Sequence, residues 1–235
     1  VINLINLQNK KYKNFLFNSY SIKLPIEDNK ELEHLSSNLK RDTKRRLRKL
    51  NDRGKVTFEV INNFNFKQKT DSKKYYEFIY QYTALTKQNG WKNIFEKKNV
   101  ENFYKSFLIE NNSEINFNLS FLKVDNQIIA SHWGLVFKDT FYWILPSYSK
   151  KWSFYSPGRL LLYKLILWSS NKKISEFDLT IGDEKYKSQW FNKKQKIYEI
   201  LYYNSFKGFL YMCYCIQKKY LKRFSFLKTI IVYFR

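Results

Sequence analysis

The sequence predicts an α+β protein in which a mixed, mostly antiparallel sheet is flanked by helices. Three β-rich segments, 117–124, 127–137 and 141–146, are joined by short turns, and this pattern predicts an antiparallel meander. A tight turn, an apolar helix and a further strand follow the meander. Hydrophobic residues make up 44% of the 235 residues, so the chain can bury a core as one large domain or two small ones.

The segments before the meander alternate between strand and helix patterns. Leucines at three- and four-residue spacing mark a basic helix that Gly54 would end. A second helix would begin near Asp71 and end at Gly90. In chain order we predict one or two strands in 1–27, a helix over 28–53, a strand over 56–61, and helices over 71–90 and 96–110.

The segments after the meander start with a break in the strand pattern. Ser156, Pro157 and Gly158 do not continue a strand, because proline lacks an amide hydrogen and glycine permits close backbone approach. The remaining predicted elements are a helix over 160–168, strands over 174–180 and 196–203, and a basic aromatic helix over 206–223. The expected domain division is an N-terminal region of strands and the basic helix (1–54), the core (55–203) and the C-terminal helix (204–235).

The formal net charge is +23, from 43 lysines and arginines against 20 acidic residues. An excess of this size attracts nucleic acid, anionic lipid headgroups or phosphorylated substrates, although lysines that fill solvated faces would give the same total. Seven of the basic residues lie within 40–50, in the predicted basic helix. They would contact nucleic acid or phosphate, or form the solvated face of a helix whose leucines turn inward.

The cysteine and hydropathy patterns bear on the compartment. Cys213 and Cys215 are too close for an unstrained disulfide, and no Cys or His nearby would complete a zinc site. Free thiols fit a reducing cytosol, and no apolar stretch reaches the ~18 residues that span a bilayer. We expect a cytoplasmic protein, at most peripheral to the inner membrane, with no metal. No signal peptide pattern is present, and a first residue of Val1 fits a fragment of a longer protein.

The turn at the start of the apolar helix has the features of an anion site. The first amides of that helix would point at a ligand above the turn, and phosphate is the commonest occupant of such a helix N-terminus. The simpler interpretation is a tight turn that only begins the helix. As a phosphate site, the turn would bind its ligand through Tyr155, Ser156, Pro157, Gly158, Arg159 and Leu160.

Four residues are candidate bases for proton removal: His132, Asp178, Asp183 and Glu184. His132 lies on a predicted central strand, and its ordinary pKa near ~6.5 suits a base, but a lone strand histidine is more often structural. Asp178 stands between apolar residues, where a carboxylate must be paired or functional. Asp183 and Glu184 follow a strand end, where they would orient an amine, or one of them would cap a helix.

Three further residues, Tyr186, Lys187 and Trp190, would share one face of a helical segment after these carboxylates. The Tyr186 hydroxyl would protonate a leaving thiolate, and Lys187 would bind a substrate phosphate or pair with Asp183. Trp190 is either a packing residue or a stacking platform for substrate. Trp133, on the strand of the candidate histidine, is also a candidate for substrate binding.

Two motifs carry a family resemblance: residues 155–166 read YSPGRLLLYKLI, and residues 176–190 read EFDLTIGDEKYKSQW. They resemble the CelD-like branch of the GNAT acyltransferase superfamily, whose members pair SPG-R-L-L with a later F-D-x-x-x-G-D-E-x-Y-K-x-x-W. The order of meander, turn, helix and strand is also similar to the GNAT core. The chain departs from the branch at Lys185, where proline is usual, and at Phe191 and Asn192, where cysteine and aspartate are common.

The resemblance implies a GNAT-like fold and an N-acyltransferase. The donor would be acetyl-CoA or another acyl-CoA held by the turn. The acceptor would be an amine, such as an amino sugar or a nucleotide- or lipid-linked sugar precursor of a surface polysaccharide. The related FemAB-type branch implies an alternative, transfer of an aminoacyl group from charged tRNA, whose phosphates the basic helix would suit. A third interpretation is a non-catalytic basic domain that docks on an anionic membrane or on nucleic acid.

Overall fold

The structure is a computed structural model that describes residues 11–24, 32, 34–109, 114–182, 184–203 and 205–217. Residues 18–195 form one compact unit. The described residues 11–17, 196–203 and 205–217 belong to a second, smaller unit. The residues considered below for function lie in the first unit.

The secondary structure follows the predicted order of strands and helices. The strands are β1 (Lys11–Lys23), β2 (Val56–Ile61), β3 (Ile115–Val124), β4 (Gln127–Phe137), β5 (Thr140–Tyr148), β6 (Glu176–Ile181) and β7 (Lys193–Tyr202). The helices are α1 (Ser37–Asn51), α2 (Lys69–Asn89), α3 (Lys98–Ile109) and α4 (Pro157–Asn171), and residues 206–217 are also helical. Short 3-10 turns lie at Ile94–Glu96, Lys150–Tyr155 and Lys187–Gln189.

The strands form one mixed sheet in the order β2-β3-β4-β5-β6-β1-β7. The neighbours from β2 to β5 pair antiparallel, as does β6 with β1. β5 and β6 pair parallel, because α4 connects them across one face of the sheet. The predicted α+β class, with a mostly antiparallel sheet flanked by helices, is confirmed.

Helices cover both faces of the sheet. On one face, Leu50 of α1 and Leu161 of α4 are buried in the same cluster as Phe177 of β6. On the other face, Phe78 of α2 and Leu108 of α3 belong to a second buried cluster. Since side chains alternate along a strand, neighbouring residues of a strand contact different helix layers. This alternation separates several of the predicted site residues.

The first helix is shorter than predicted. α1 begins at Ser37, with the Ser36 hydroxyl accepting the Leu39 amide at 3.2 Å, whereas the leucine spacing predicted a start at residue 28. Leu32 and Leu35 belong to the same buried cluster as α1 but precede the helix. Residues 28–31 lie outside the described part of the chain. A serine N-cap is the signal that marks this start in the sequence.

Other boundaries agree more closely with the sequence. β2 and β4 coincide with the predicted strands, and α2 ends at Gly90, which adopts the left-handed conformation with φ 66°. The helical segment predicted over 184–190 is only the 3-10 turn Lys187–Gln189. Within the described residues, none of the helices is both long enough and apolar enough to cross a membrane.

Candidate active site

β5 and β6 pair only at their first residues and then separate. Their parallel register runs from Thr140 opposite Glu176 to Tyr142 opposite Asp178. Beyond it, Thr180 has a φ of 64°, which is a strained conformation for a β-branched residue. Strained residues of this kind concentrate at functional sites.

Two hydrogen bonds hold Thr180 in this conformation. Its amide donates to Oδ1 of Asp178 at 2.6 Å, and its hydroxyl donates to the carbonyl oxygen of Trp143 at 3.2 Å. The hydroxyl thus satisfies a backbone group of β5 where the ladder between the strands ends. The Trp143 carbonyl oxygen therefore keeps a hydrogen-bond partner although β5 and β6 no longer pair at this position.

A pocket of about 350 Å³ lies at the carboxyl end of β5. Trp143, Pro146 and Tyr148 of β5 line one side, and Gly158 and Arg159 of α4 line another. The end of α2 and the segment after β6 complete the lining. The volume fits a small ligand or part of a larger one.

The predicted donor turn borders this pocket in part. Ser156, Gly158 and Arg159 line it, and Ser156 adopts the left-handed conformation with φ 53°. The amides of Arg159 and Leu160 donate to the carbonyl oxygen of Ser156 at 3.0 and 3.2 Å. Two of the amides expected to bind phosphate are therefore engaged within the turn, so the Arg159 side chain and the Gly158 backbone are the better candidates there. Pro157 and Leu160 are buried.

The basic helix lies beside this turn. Asp42 of α1 forms ion pairs with Arg159 of α4 and with Arg45 and Arg46 of its own helix, the last at 2.8 Å. The hydrogen bond from Arg46 is the main cause that lowers the pKa of Asp42 to about 2. One carboxylate thus faces three guanidinium groups, and the region retains a positive excess next to the pocket.

Tyr186 is one of the residues that line the pocket. The hydroxyl oxygen accepts a hydrogen bond from Nε1 of Trp143 at 3.1 Å, which leaves its own proton available to a ligand. The whole residue is 37% exposed, but its phenol end is desolvated, and this raises the pKa of Tyr186 to about 12. Tyr186 is therefore protonated at neutral pH and has the form that a proton donor needs.

Trp143 was not predicted as a site residue. It lies flat on the ring of His132, with centroids 4.1 Å apart and an interplanar angle of 7°. It follows Phe141 in the alternation of β5 and so has the same sequence pattern as a core residue. Trp143 differs from a core residue only in lining the pocket where β5 has separated from β6, and the local sequence does not encode this separation.

His132 is buried in the core, away from the position expected of a catalytic base. Its Nε2 accepts the Ile144 amide at 3.0 Å, and its Nδ1 is buried with no hydrogen-bond partner among the described residues. Burial holds the pKa of His132 well below its usual value, so the ring is neutral. The geometry thus favours a structural role, in which the imidazole satisfies a backbone amide beside a β-bulge at Trp133/Gly134.

The predicted carboxylates have different surroundings. Asp178 is half-buried on the sheet face opposite Phe177, and Ser19 donates to its Oδ1 at 3.4 Å in addition to Thr180. Burial raises the pKa of Asp178. Glu184 is exposed and pairs with Lys187 at 2.8 Å. Asp183 lies outside the described residues.

Lys187 is almost fully buried and does not face a substrate in this structure. Its Nζ donates to the carbonyl oxygen of Ile181 at 2.7 Å as well as pairing with Glu184. These two contacts hold the turn that carries Tyr186, and the expected roles of Lys187, binding a phosphate or pairing with Asp183, stay predictions. Gly182 suits this turn because its φ of 117° is one that residues with a side chain rarely adopt.

The two tryptophans predicted to bind substrate are both buried. Trp133 packs in the second core cluster, with its ring 4.9 Å from that of Tyr104, and it lies on the sheet face opposite Trp143. This position excludes it from the pocket. Trp190 is 1% exposed and borders the pocket from below, which agrees with a packing role. Within the described ranges, no group of three or more His, Cys, Asp or Glu side chains is placed to hold a metal ion.

The sequence of residues 37–188 matches the family described as "Acetyltransferase (GNAT) domain". This match covers most of the chain, including strands β2 to β6 and every residue that lines the pocket except Trp190. The protein therefore belongs to the GNAT acetyltransferase domain family. No curated protein sequence matches it significantly.

Solved structures with the same fold have little sequence in common with this chain. FemX has a TM-score of 0.60 at 9% identity, over 81% of this chain and 63% of its own. L-PGS from Bacillus licheniformis has a TM-score of 0.57 at 12% identity, over 84% and 64%. The C-terminal domain of a putative lysylphosphatidylglycerol synthetase from Agrobacterium fabrum has a TM-score of 0.54 at 12% identity. The match covers 86% of this chain and 65% of that structure. The chain thus spans under two thirds of the length of these structures, and at these identities the likeness concerns the fold alone.

Proposed function

We propose that the protein is an N-acyltransferase that moves an acyl group, most simply acetyl, from acyl-CoA to an amine. The observation that carries the proposal is that Tyr186, protonated at neutral pH, lines a pocket together with β5 and the donor turn. Family membership supports the reaction class.

Each step of acyl transfer has a candidate residue. The donor lies along the Ser156–Arg159 turn with its thioester toward Tyr186. The acceptor nitrogen attacks the thioester carbonyl carbon, the carbon–sulfur bond breaks, and Tyr186 gives its proton to the departing thiolate. The proton lost by the nitrogen passes to a carboxylate.

Asp178 is our candidate for that base among the described carboxylates. Its raised pKa suits proton uptake near neutral pH better than that of an ordinary aspartate, and it sits where the two strands separate. Asp178 is not among the residues that line the pocket, so it would act through an intervening water. Asp183 remains a candidate from the sequence, and exposed Glu184 is a weaker one because Lys187 neutralises it.

The acceptor that we propose is an amino sugar or a related precursor of a surface polysaccharide. Its support is the resemblance of the 155–166 and 176–190 motifs to the CelD-like branch. The charge of +23 would suit an acceptor carried on a nucleotide or an anionic lipid.

A decisive experiment measures CoA thiol release from acetyl-CoA with a panel of amino sugars. The Tyr186→Phe variant should lose about 100-fold to 1,000-fold in kcat with little change in KM, because the proton donor is removed. Tyr80→Phe, at a tyrosine of α2 that is 70% exposed, is the matched control and should behave as wild type. Full turnover by Tyr186→Phe would remove its assigned role, and the absence of turnover with every acyl-CoA and amine would refute the proposal.

A second candidate is transfer of an aminoacyl group from charged tRNA. It is favoured by the basic face of α1 next to the pocket and by the names of the structural neighbours, one of which refers to lysyl transfer to phosphatidylglycerol. Thermal-shift titrations with CoA and with bulk tRNA separate the two candidates. Stabilisation by tRNA that declines with salt, without any response to millimolar CoA, would select the second.

A further inference from the structure

A second, smaller pocket lies on the outer side of the donor turn. Its volume is about 200 Å³, and it is lined by Arg45, Arg46 and Lys49 of α1 and by Phe154 and Tyr155 of the 3-10 turn before α4. None of these side chains has a role in the acyl-transfer steps described above.

The two pockets share one stretch of backbone. Ser153 and Ser156 border the first pocket, while Phe154 and Tyr155, which lie between them in the chain, border the second. Asp42 also joins the two sites, because it pairs with Arg159 of the first pocket and with Arg45 and Arg46 of the second. A ligand long enough to follow the turn would occupy both.

The aromatic side chain of this second pocket is held open to solvent. Phe154 is 69% exposed, although its carbonyl oxygen accepts a hydrogen bond from Nη1 of Arg46 at 2.7 Å. Tyr155 contacts its ring edge-to-face at 5.3 Å, and Arg53 donates to the Tyr155 hydroxyl at 2.7 Å. The backbone is thus fixed while most of the ring stays exposed to solvent, as a stacking platform for a planar base requires.

The charges around the ring are suited to phosphate. Lys49 Nζ lies 5.6 Å from the Phe154 ring centroid, and Arg45 and Arg46 lie on the same side of α1. Asp42 pairs with both arginines and with Arg159, so one carboxylate is shared among three guanidinium groups. The pocket therefore combines a cationic excess with an exposed aromatic ring, a combination that fits a phosphorylated nucleoside.

We propose that this pocket binds the phosphorylated adenosine end of the donor, with the base on Phe154 and a phosphate at Lys49 and Arg45. The inference rests on the proposed function for the direction of the donor, but not for the binding itself. The same chemistry occurs at the nucleotide end of CoA and at the 3′-terminal adenosine of tRNA.

The first test is direct binding of adenosine 3′,5′-bisphosphate, measured by isothermal titration calorimetry in low salt. Phe154→Ala and Lys49→Ala should each weaken this binding by between about 5-fold and 100-fold, since stacking and a charge-assisted contact are each lost. Arg48→Ala is the matched control, because Arg48 belongs to α1 but lines a different groove. Both changed residues are at the surface, so folding is not at risk.

The second test compares acetyl-CoA with acetyl-pantetheine, which lacks the nucleotide. Both variants should raise the KM for acetyl-CoA and leave kcat and the KM for acetyl-pantetheine unchanged. A short RNA hairpin ending in CCA is titrated in parallel. If Phe154→Ala weakens binding of acetyl-CoA, the nucleotide belongs to CoA, and if it weakens binding of the hairpin, the nucleotide belongs to tRNA. Nucleotide binding without acyl transfer would leave this inference intact and refute the proposed function. Unchanged affinity for the nucleotide, for acetyl-CoA and for the RNA in both variants would overturn the inference.

Discussion

His132 and Gly134 depend on each other within β4. A Cβ at position 134 would collide with Cε1 of His132 and lie 2.7 Å from the carbonyl oxygen of Tyr142. His132→Ala should destabilise the protein by about 3 kcal/mol, because the Ile144 amide loses its partner and a cavity forms. Gly134→Ala should cost about 2 kcal/mol through overpacking. Urea unfolding of both variants measures these values.

The double variant His132→Ala/Gly134→Ala provides the decisive comparison. Removing the imidazole relieves the larger clash, so the double variant should be more stable than the sum of the two single losses predicts. The Tyr142 carbonyl clash remains, so the rescue should be partial. Strictly additive losses would show that the ring and the glycine are independent.

At the residue scale, the sequence singled out Tyr186 within the 176–190 motif and Gly158 within the turn, and both line the pocket, while their roles stay predictions. It did not identify Trp143, and it treated His132 as a candidate base. Burial depends on which strands are central and where two strands separate, and these long-range features leave no local pattern.

Asp42 is the residue of α1 that pairs with Arg159 of the donor turn. Asp42→Asn should lower the free energy of unfolding by about 1 kcal/mol, a small value because surface ion pairs are screened. In the wild type this contribution is present above pH 3.8, the ordinary value for the carboxyl, and is lost as pH falls toward 2, since the pKa of Asp42 is lowered.

Denaturant unfolding of wild type and Asp42→Asn at pH 7 and pH 2.5 measures this effect. The difference in free energy of unfolding between wild type and Asp42→Asn should be largest at pH 7 and smaller at pH 2.5. Asp52→Asn, which changes the residue after α1, is the control and should show a smaller difference. An equal difference at both pH values would contradict a role for the ionised carboxylate.

Most elements could be predicted from the sequence, because the meander has hairpin turns and α2 has a glycine stop. The start of α1 could not be predicted from leucine spacing. Leu32 and Leu35 are buried in the same cluster as α1 but precede the helix. Their spacing therefore shows that they pack in the same core, and it does not show that the helix extends to them. The Ser36 cap is the stronger local signal.

Stability of the whole molecule should depend on pH through His132. The folded state keeps its imidazole neutral, since burial lowers the pKa of His132, whereas the unfolded chain takes up a proton below pH ~6.5. The free energy of unfolding should therefore fall by up to about 1.4 kcal/mol per pH unit as pH decreases below that value.

Calorimetric unfolding at pH 5.5 in two buffers of different ionisation enthalpy tests this dependence. Unfolding of the wild type should take up close to one more proton than unfolding of His132→Gln, whose amide oxygen can still accept the Ile144 amide. Equal proton uptake by both proteins would mean that His132 is charged in the folded state.

If the protein has the proposed acyltransferase activity, the short parallel pairing of β5 with β6 bears on the range of acyl chains that it accepts. Because the strands share only the register from Thr140 to Tyr142, a wider separation beyond Thr180 breaks few ladder bonds. A longer acyl group would then be admitted by a small outward movement of one strand, at the expense of the Thr180–Trp143 hydrogen bond. Chain-length tolerance would thus be set by one threonine hydroxyl at the point where the strands divide, and not by the depth of the pocket.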